Sequence, residues 1–345
     1  MRSQSHVGYA RRSRRERRSD ITCRQNGGFG HVFNVKDNHR RSLVRRPSWH
    51  CQACQPFARP LAKPSRQAAI RGTKLPAPSA SHATCEAFYG TLRRMHLTVL
   101  GSGTAVPVPD RFPAGYLVEH DEHRVMVDCG PGTLRRLAQA SVSPKQLDAV
   151  LLTHYHTDHC ADLAALLFAL RSPHLQPRPP LTIYGAPGLI RLVEKLTEAW
   201  PWLSPKNYEM HLVELAPGTF TAHGFEITAI PIRHTAQSLG YRLRAGNGLL
   251  ALSGDADTCD ELVDLARDAD VFVCDSAAPD ALKIEGHLTP GLAAGYAERA
   301  GARELVLTHF YPECEGHDLA AEARAHFGGK ITLAADLMRL PVGSD

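Results

Sequence analysis

The segment from His154 to His159 constrains this chain more than any other part of its sequence. Four side chains of metal-binding type, His154, His156, Asp158 and His159, lie within six consecutive positions. In an extended segment His154 and His156 point in the same direction, because side chains alternate along a strand. A loop that turns into a helix then directs Asp158 and His159 towards a neighbouring point. Imidazole and carboxylate groups suit zinc, and burying them without a metal would be costly, so the segment predicts a metal centre.

Several short apolar strands elsewhere in the chain also end at residues that can bind a metal. Ala149–Thr153 stops at His154. Four later strands end in the same way, next to His234, Asp255, Asp275 and His309. Between them, Asp260–Ala266 and Pro290–Ala300 have helical spacing, with Gly301 placed as a helix C-cap. Strands beside helices in two similar halves predict a layered α/β domain with its helices outside.

The His-x-His-x-Asp-His pattern resembles the signature motif of the metallo-β-lactamase superfamily, and the resemblance extends over nearly all of residues 95–345. It implies a four-layered αββα sandwich and a site for two zinc ions, with Mn²⁺ or Fe²⁺ as alternatives. One zinc is then bound by His154, His156 and His234. The other is bound by Asp158, His159 and His309, with Asp255 as the bridging carboxylate and Asp128 supporting the ligands from behind.

A further short motif, Gly286-His287-Leu288-Thr289, indicates a branch of the superfamily. It resembles the His-x-Thr element of the ribonuclease Z-like branch, where the histidine contacts the scissile phosphate and helps to protonate the leaving oxygen. The same residues also fit a helix start, with Thr289 as N-cap ahead of a proline, and both interpretations hold together. The resemblance implies phosphodiester hydrolysis by metal-activated hydroxide. In this scheme Asp158 orients the nucleophile or accepts its proton, and His287 is the general acid.

Two departures from the transfer-RNA-processing enzymes of that branch bear on the substrate. Those enzymes often carry glycine three residues after the motif, where this chain has Asp162. They also use a long protruding arm, expected between the residues matched by His234 and Asp255, but only 20 residues intervene here. We therefore predict a small phosphodiester, such as a cyclic nucleotide, in preference to precursor transfer RNA. A ribonuclease Z-type 3′-processing endonuclease, a lactone, thioester or lactam hydrolase, and a metal-bearing binding protein without turnover stay open as alternatives.

Charge divides the chain into two parts. Residues 1–94 hold 20 Lys and Arg against 4 Asp and Glu, a net charge of +16, whereas residues 95–345 hold 20 against 31, a net charge of −11. A surface that binds a long RNA backbone is expected to be basic, so the acidic domain also favours a small substrate. Residues 1–94 are predicted to be a disordered leader and residues 95–345 the hydrolase domain.

The leader admits several interpretations. Its arginines suit an organelle transit peptide or a segment that binds nucleic acid, and Cys51 and Cys54 suit half of a zinc site. We favour a fourth, in which the natural protein starts at Met95 and the leader is an upstream over-extension.

The nine cysteines of the chain are scattered, which predicts reduced thiols in the cytoplasm. No apolar run is long enough to span a membrane, and the resemblance implies that a homodimer is an option.

Overall fold

In the computed structural model, residues 22–24, 31–34, 94–176 and 178–343 are described. Their first eight strands are β1 (Thr22–Arg24), β2 (His31–Asn34), β3 (Met95–Gly101), β4 (Gly115–His120), β5 (His123–Val127), β6 (Ala149–Leu151), β7 (Leu181–Gly185) and β8 (Met210–Glu214). The next eight are β9 (Gly218–Ala222), β10 (Phe225–Pro231), β11 (Leu239–Ala245), β12 (Gly248–Leu252), β13 (Val271–Asp275), β14 (Glu304–Thr308), β15 (Lys330–Leu333) and β16 (Arg339–Val342). The helices are α1 (Thr133–Gln139), α2 (Thr157–Cys160), α3 (Asp162–Ala169), α4 (Leu189–Ala199), α5 (Glu261–Ala266), α6 (Pro290–Ala300) and α7 (Leu319–Arg324).

The strands form two mixed sheets. One has the order β1-β2-β8-β7-β6-β5-β4-β3-β16, and the other has the order β15-β14-β13-β12-β11-β10-β9. Strands β5 to β8 are parallel in the first sheet, and strands β12 to β15 are parallel in the second. Parallel strands end at the same edge of their sheet, so residues that follow them in sequence meet there.

Strand β5 shows how the sequence produces the layers. Val125 and Val127 are buried in the core between the two sheets, whereas Met126 is buried against the helices on the outer face of the first sheet. This follows from the alternation of side chains along a strand, and each such buried side chain contributes roughly 1.5–3 kcal/mol. Residues of α1 and α3 share the core of Met126, and residues of α5 and α6 cover the second sheet. The predicted four-layered αββα sandwich is confirmed.

Helix α6 begins and ends as the sequence predicts. The side chain of Thr289 accepts a hydrogen bond from the Leu292 amide, and Pro290 occupies the first helical position. Gly301 ends the helix with a φ of 69°, in the left-handed region that favours glycine. The predicted strand Ala149–Thr153 likewise begins with β6 at Ala149 and extends two residues past its end at Leu151.

The stretch between His234 and Asp255 is a plain hairpin. Strands β11 and β12 pair antiparallel, with Tyr241 opposite Leu252 and Ala245 opposite Gly248. All residues of this stretch are described, and none of them forms a protruding arm. The prediction that the arm is absent here is confirmed.

Within the leader the structure describes only the backbone of two short strands. Strand β1 pairs antiparallel with β2, and β2 pairs antiparallel with β8 at the edge of the first sheet. The rest of the leader lies outside the described residues, and with it the prediction of disorder and the pair Cys51 and Cys54. Among the described residues, no helix combines the length and apolar character needed to cross a membrane.

Candidate metal centre

Strand ends at one edge of the sandwich bring the predicted metal ligands together. Strand β5 leads into Asp128, β6 into His154, β12 into Asp255 and β14 into His309. Asp128 and His309 have φ values of 60° and 64°, which are uncommon for residues other than glycine and occur often at functional sites. Gly254 has a φ of 60°, and a Cβ there would meet the Cβ of Thr153 at 2.7 Å. Glycine is therefore required for the chain to deliver Asp255 beside β6.

The first cluster contains three imidazoles that face one another. Nδ1 of His156 lies 3.0 Å from Nε2 of His154 and 3.1 Å from Nε2 of His234. Oδ2 of Asp255 lies 3.6 Å from Nε2 of both His154 and His234. His156 is exposed and His234 is half-buried, so this cluster opens to solvent.

The second cluster lies on the other side of Asp255. Nε2 of His159 and Nε2 of His309 are 3.4 Å apart. Oδ2 of Asp158 is 3.8 Å from the first of these nitrogens and 3.5 Å from the second. Oδ1 of Asp255 is 3.0 Å from His159 and 3.2 Å from His309. Asp255 thus directs one oxygen to each cluster, as a bridging carboxylate would.

The residues present fit a two-metal site. Ligands at tetrahedral positions around zinc, with bonds of roughly 2.0–2.1 Å, lie about 3.3 Å from one another, close to the separations of the nitrogens in the first cluster. An imidazole nitrogen that faces two others can share a proton with only one of them, whereas a cation satisfies all three. Oδ1 of Asp255 is buried and makes no hydrogen bond within the described residues. Nitrogen and carboxylate ligands are those that zinc prefers.

Hydrogen bonds behind the clusters orient the imidazoles. Nδ1 of His159 donates to Oδ2 of Asp128 at 2.8 Å, which leaves Nε2 as the ligand atom. Asp128 is itself fixed, because its Oδ1 accepts from the backbone amide of Thr153 at 2.8 Å. Nδ1 of His234 donates to the carbonyl oxygen of Gly286 at 2.8 Å. Such partners fix the tautomer of a metal-binding histidine, and the position of Asp128 agrees with its predicted supporting role.

The electrostatics of the clusters suit cation binding. Burial, followed by the charge of His159, lowers the pKa of His154 to about 2, so this imidazole is neutral at neutral pH. Burial opposes ionisation of Asp255, but the imidazoles of His159 and His309 outweigh it and hold the pKa of that carboxyl well below its usual range. Burial also opposes the charged form of His309, but the Asp255 carboxylate outweighs it and raises the pKa to about 10.

We expect zinc binding to release about two protons at neutral pH, because His159 and His309 must lose theirs. Both have a raised pKa, so protons compete with the metal below that pKa and affinity rises with pH. Between about pH 6 and pH 8, Kd should fall roughly tenfold per pH unit for each proton released. Titration calorimetry in buffers of different ionisation enthalpy measures the number of protons released on zinc binding. A heat of binding that is independent of the buffer would contradict it.

Asp275 is a site residue to which the sequence assigned no role. Its Oδ2 accepts from Nδ1 of His287 at 3.0 Å, and its Oδ1 lies 3.5 Å from Nδ1 of His309. Burial acts to lower the pKa of His287, but the Asp275 carboxylate outweighs it and raises the pKa. The sequence did contain a signal, because Asp275 ends an apolar strand. Asp255 and His309 likewise come shortly after apolar strands.

Asp162, which stands where related enzymes often carry glycine, caps a helix. Its Oδ2 accepts from the backbone amides of Gly132 and Leu134 at 2.9 and 3.1 Å. These amides belong to the start of α1, where a carboxylate satisfies unpaired donors and the helix dipole. The departure from the related enzymes therefore stabilises a helix next to the site and leaves the ligand clusters unchanged.

The loop that carries His287 is held by Asp257. Oδ1 of Asp257 accepts from Lys283 Nζ at 2.9 Å, and Oδ2 accepts from the Gly286 amide at 3.0 Å. The carbonyl of the same Gly286 accepts from His234, so Asp257 positions both a predicted ligand and the predicted acid.

Asp257→Ala is expected to lower kcat by about 10–100-fold, the usual effect of removing a group that orients a site. KM should change less, because Asp257 acts through His234 and His287. Steady-state kinetics of the full chain measures the effect, with Asp264→Ala as the matched control because Asp264 pairs with Arg267 on an exposed helix face. Equal kinetics for the two variants would refute the positioning role.

A cluster of histidines and aspartates at the strand ends of an αββα sandwich defines a metal-dependent hydrolase of the metallo-β-lactamase fold. The chain belongs to the β-lactamase superfamily, since the family model described as the Beta-lactamase superfamily domain matches residues 123–310. It is 31% identical over 276 residues to a protein of Mycobacterium bovis (strain BCG) named ribonuclease Z, covering 72% of this chain and 98% of that one.

Solved structures give the same result. The metallo-β-lactamase fold protein YhfI from Bacillus subtilis has a TM-score of 0.65 and 28% identity, covering 72% of this chain and 99% of that chain. The short form of human tRNase Z has a TM-score of 0.59 and 25% identity, covering 72% and 100%. The chain is therefore a ribonuclease Z-like metal-dependent hydrolase, and the fold of the family implies a divalent metal.

Proposed function

We propose that this chain is a two-zinc phosphodiesterase that hydrolyses a small phosphodiester, such as a cyclic nucleotide. His287 is the observation that carries the proposal. Its ring stacks on that of His309 with centroids 5.2 Å apart, and it lies 5.0 Å from the ring of His234. Because Asp275 accepts from Nδ1, Nε2 is the nitrogen available to a substrate. A proton donor held beside two clusters of metal-binding side chains can protonate the alcohol that leaves a phosphodiester.

Each residue has a role in this proposal. His154, His156 and His234 would hold the first zinc, Asp158, His159 and His309 would hold the second, and the carboxylate of Asp255 would serve both. When bound, zinc would supply hydroxide near neutral pH and offset the charge of the phosphoryl oxygens. Asp158 orients the nucleophile or accepts its proton, while His287 gives its proton to the leaving oxygen. Asp275 stabilises the imidazolium form of His287 before that transfer.

Two features favour a small substrate. The hairpin of β11 and β12 replaces the long arm that the resemblance places between His234 and Asp255. Residues 95–345 carry a net charge of −11, whereas a surface that follows a nucleic-acid backbone is expected to be basic.

Processing of transfer-RNA 3′ ends is the second candidate. The names of two similar proteins favour it, the ribonuclease Z of Mycobacterium bovis and the short form of human tRNase Z. In this alternative the same clusters and His287 act on a phosphodiester of RNA, so the site chemistry is shared and only the recognition of the substrate differs.

The deciding experiment compares substrates on the zinc-loaded full chain. Bis(p-nitrophenyl) phosphate, 2′,3′- and 3′,5′-cyclic nucleotides and a precursor transfer RNA are tested side by side. Hydrolysis of the small diesters without cleavage of the RNA supports the proposal. Efficient cleavage of the RNA at one position, with slow turnover of the small diesters, favours the second candidate. If the metal-loaded protein cleaves no phosphodiester, both are wrong.

We further propose a cytoplasmic protein that forms a homodimer. The five cysteines between residues 94 and 343 are all free, which suits a reducing compartment. Phe168 and Trp202 are 58% and 55% exposed, and exposed apolar side chains of this size suit a protein interface. Light scattering coupled to size-exclusion chromatography tests the assembly, and a monomeric mass at micromolar concentration would contradict it.

A further inference from the structure

We propose that a cavity beside Tyr311 binds the leaving alcohol of the diester, and that this alcohol is a nucleoside. The inference rests on the proposed phosphodiesterase function. The cavity has a volume of about 390 Å³, within the range of roughly 300–1,000 Å³ that is usual for small-molecule sites. It lies between the loop that follows β3 and the segment that follows β14.

Tyr311 connects this cavity to the proposed acid. Its ring lines the cavity and meets the rings of His287 and His309 nearly edge-on, with centroids 5.7 and 5.8 Å apart. His287 gives its proton to the oxygen that leaves, so the alcohol that carries this oxygen departs on the side of His287. The cavity on that side is therefore the place for the leaving group, and Tyr311 offers an aromatic surface for a base or sugar.

One wall of the cavity is fixed before any ligand binds. The guanidinium of Arg111 lies over the ring of Phe310 at 4.5 Å from its centroid. Nη1 of Arg111 donates to Oγ of Ser102 at 2.7 Å and to the carbonyl of Ala334 at 2.6 Å. The Phe310 amide donates to the Ser102 carbonyl at 3.0 Å. A wall that is already ordered lowers the entropic cost of binding.

Part of the lining is apolar and is connected to the metal site. Four apolar residues, Val108, Pro109, Pro312 and Leu319, line the cavity. The loop that carries Val108 also contacts the metal site, because the Ala105 amide donates to Oδ2 of Asp158 at 3.1 Å. Apolar lining residues of this kind suit an apolar ring better than a flexible polar chain.

The charges around the cavity indicate an occupant without a second phosphate. Arg111 is the sole lysine or arginine that lines the cavity among the described residues, and its guanidinium is engaged as above. Asp110 and Glu315, both exposed, place two carboxylates at the rim. A nucleic-acid chain that continued through the cavity would bring its next phosphate against them. A terminal, uncharged nucleoside fits.

Thymidine 5′-(methyl phosphate) tests the inference, since it has two leaving alcohols of similar basicity. The oxygen of water bonds to phosphorus, the P–O5′ bond breaks, and its electron pair stays on O5′, which takes the proton of His287. The products are then thymidine and methyl phosphate. If methanol leaves instead, the product is thymidine 5′-phosphate. The ratio of these products does not depend on how much of the enzyme is metal-loaded.

We expect the full-length protein to release thymidine in at least about tenfold excess over thymidine 5′-phosphate, from stacking and burial of the nucleoside. Val108→Trp fills the cavity from a surface loop and should lower this ratio about tenfold or more. The matched control is Val106→Trp, because Val106 is exposed on the same loop and does not line the cavity. Its ratio should equal that of the unmodified protein.

Four results are decisive. Release of thymidine 5′-phosphate as the main product, or a ratio unchanged in Val108→Trp, would overturn the nucleoside site while leaving phosphodiester hydrolysis intact. Hydrolysis of bis(p-nitrophenyl) phosphate without cleavage of the nucleoside diester would also overturn it. Absence of cleavage of both diesters would instead contradict the proposed function.

Discussion

Asp255→Ala is expected to lower kcat/KM for bis(p-nitrophenyl) phosphate by at least about a thousandfold, because it removes the one carboxylate that faces both proposed metals. Its two oxygens lie 3.0 to 3.6 Å from imidazole nitrogens of the two clusters. Without Asp255, the site beside the imidazoles of His159 and His309 lacks the negative charge that would balance a bound cation. We therefore expect metal content to fall together with activity.

The measurement pairs kinetics with metal analysis of the purified full chain. Asp260→Ala is the matched control, because Asp260 follows five residues later with a side chain that is 97% exposed, and it should keep both metal and rate. Thermal unfolding of the metal-free variants separates loss of metal from loss of fold. An Asp255→Ala protein that retains two metals and normal turnover would remove Asp255 from the site.

His287→Ala is expected to lower kcat by about 10²–10⁴-fold for diesters with an alkyl leaving group, the usual range for a lost general acid. The loss should be much smaller for bis(p-nitrophenyl) phosphate, because p-nitrophenolate leaves as an anion and needs no proton. This dependence on the leaving group distinguishes a proton donor from a residue that only shapes the site. Metal content should stay unchanged, since His287 is outside the proposed ligand set.

The matched control for His287→Ala is His174→Ala, because His174 is exposed in a short helical turn away from the clusters. Equal losses for the two kinds of leaving group would argue against acid catalysis. Full activity on a lactone, thioester or lactam, together with no effect on that activity in His287→Ala, would support the acyl-hydrolase alternative.

Local signals predicted much of the fold. The apolar run from Val125 to Val127 predicts a strand, and the structure buries its side chains in two different cores. The Thr289-Pro290 start and the Gly301 end of α6 were predicted because capping depends on adjacent residues. Strands β7, β8, β9, β11, β15 and β16 were not predicted, since short apolar runs and strands with mixed burial lack a distinctive period.

Roles that depend on contacts between distant segments could not be predicted from the sequence. Asp275 resembles any other carboxylate at a strand end, and only the parallel pairing of β13 with β12 and β14 places it beside His287 and His309. Asp257 is equally inconspicuous in sequence, although it holds the Gly286 peptide. Tyr311 follows His309 closely in the chain, but its contact with His287 arises from packing.

The sequence by itself determined the superfamily, the layered fold and the residues that are able to bind metal, because the His154 to His159 motif and the strand-end pattern are local. The tertiary structure decided which oxygen of Asp255 faces which cluster, which nitrogen of each histidine is free, and where a leaving group fits. The physical reason is that these properties depend on distances of about 3 Å between segments far apart in the chain, and such distances are set by the packing of the sheets and their helices.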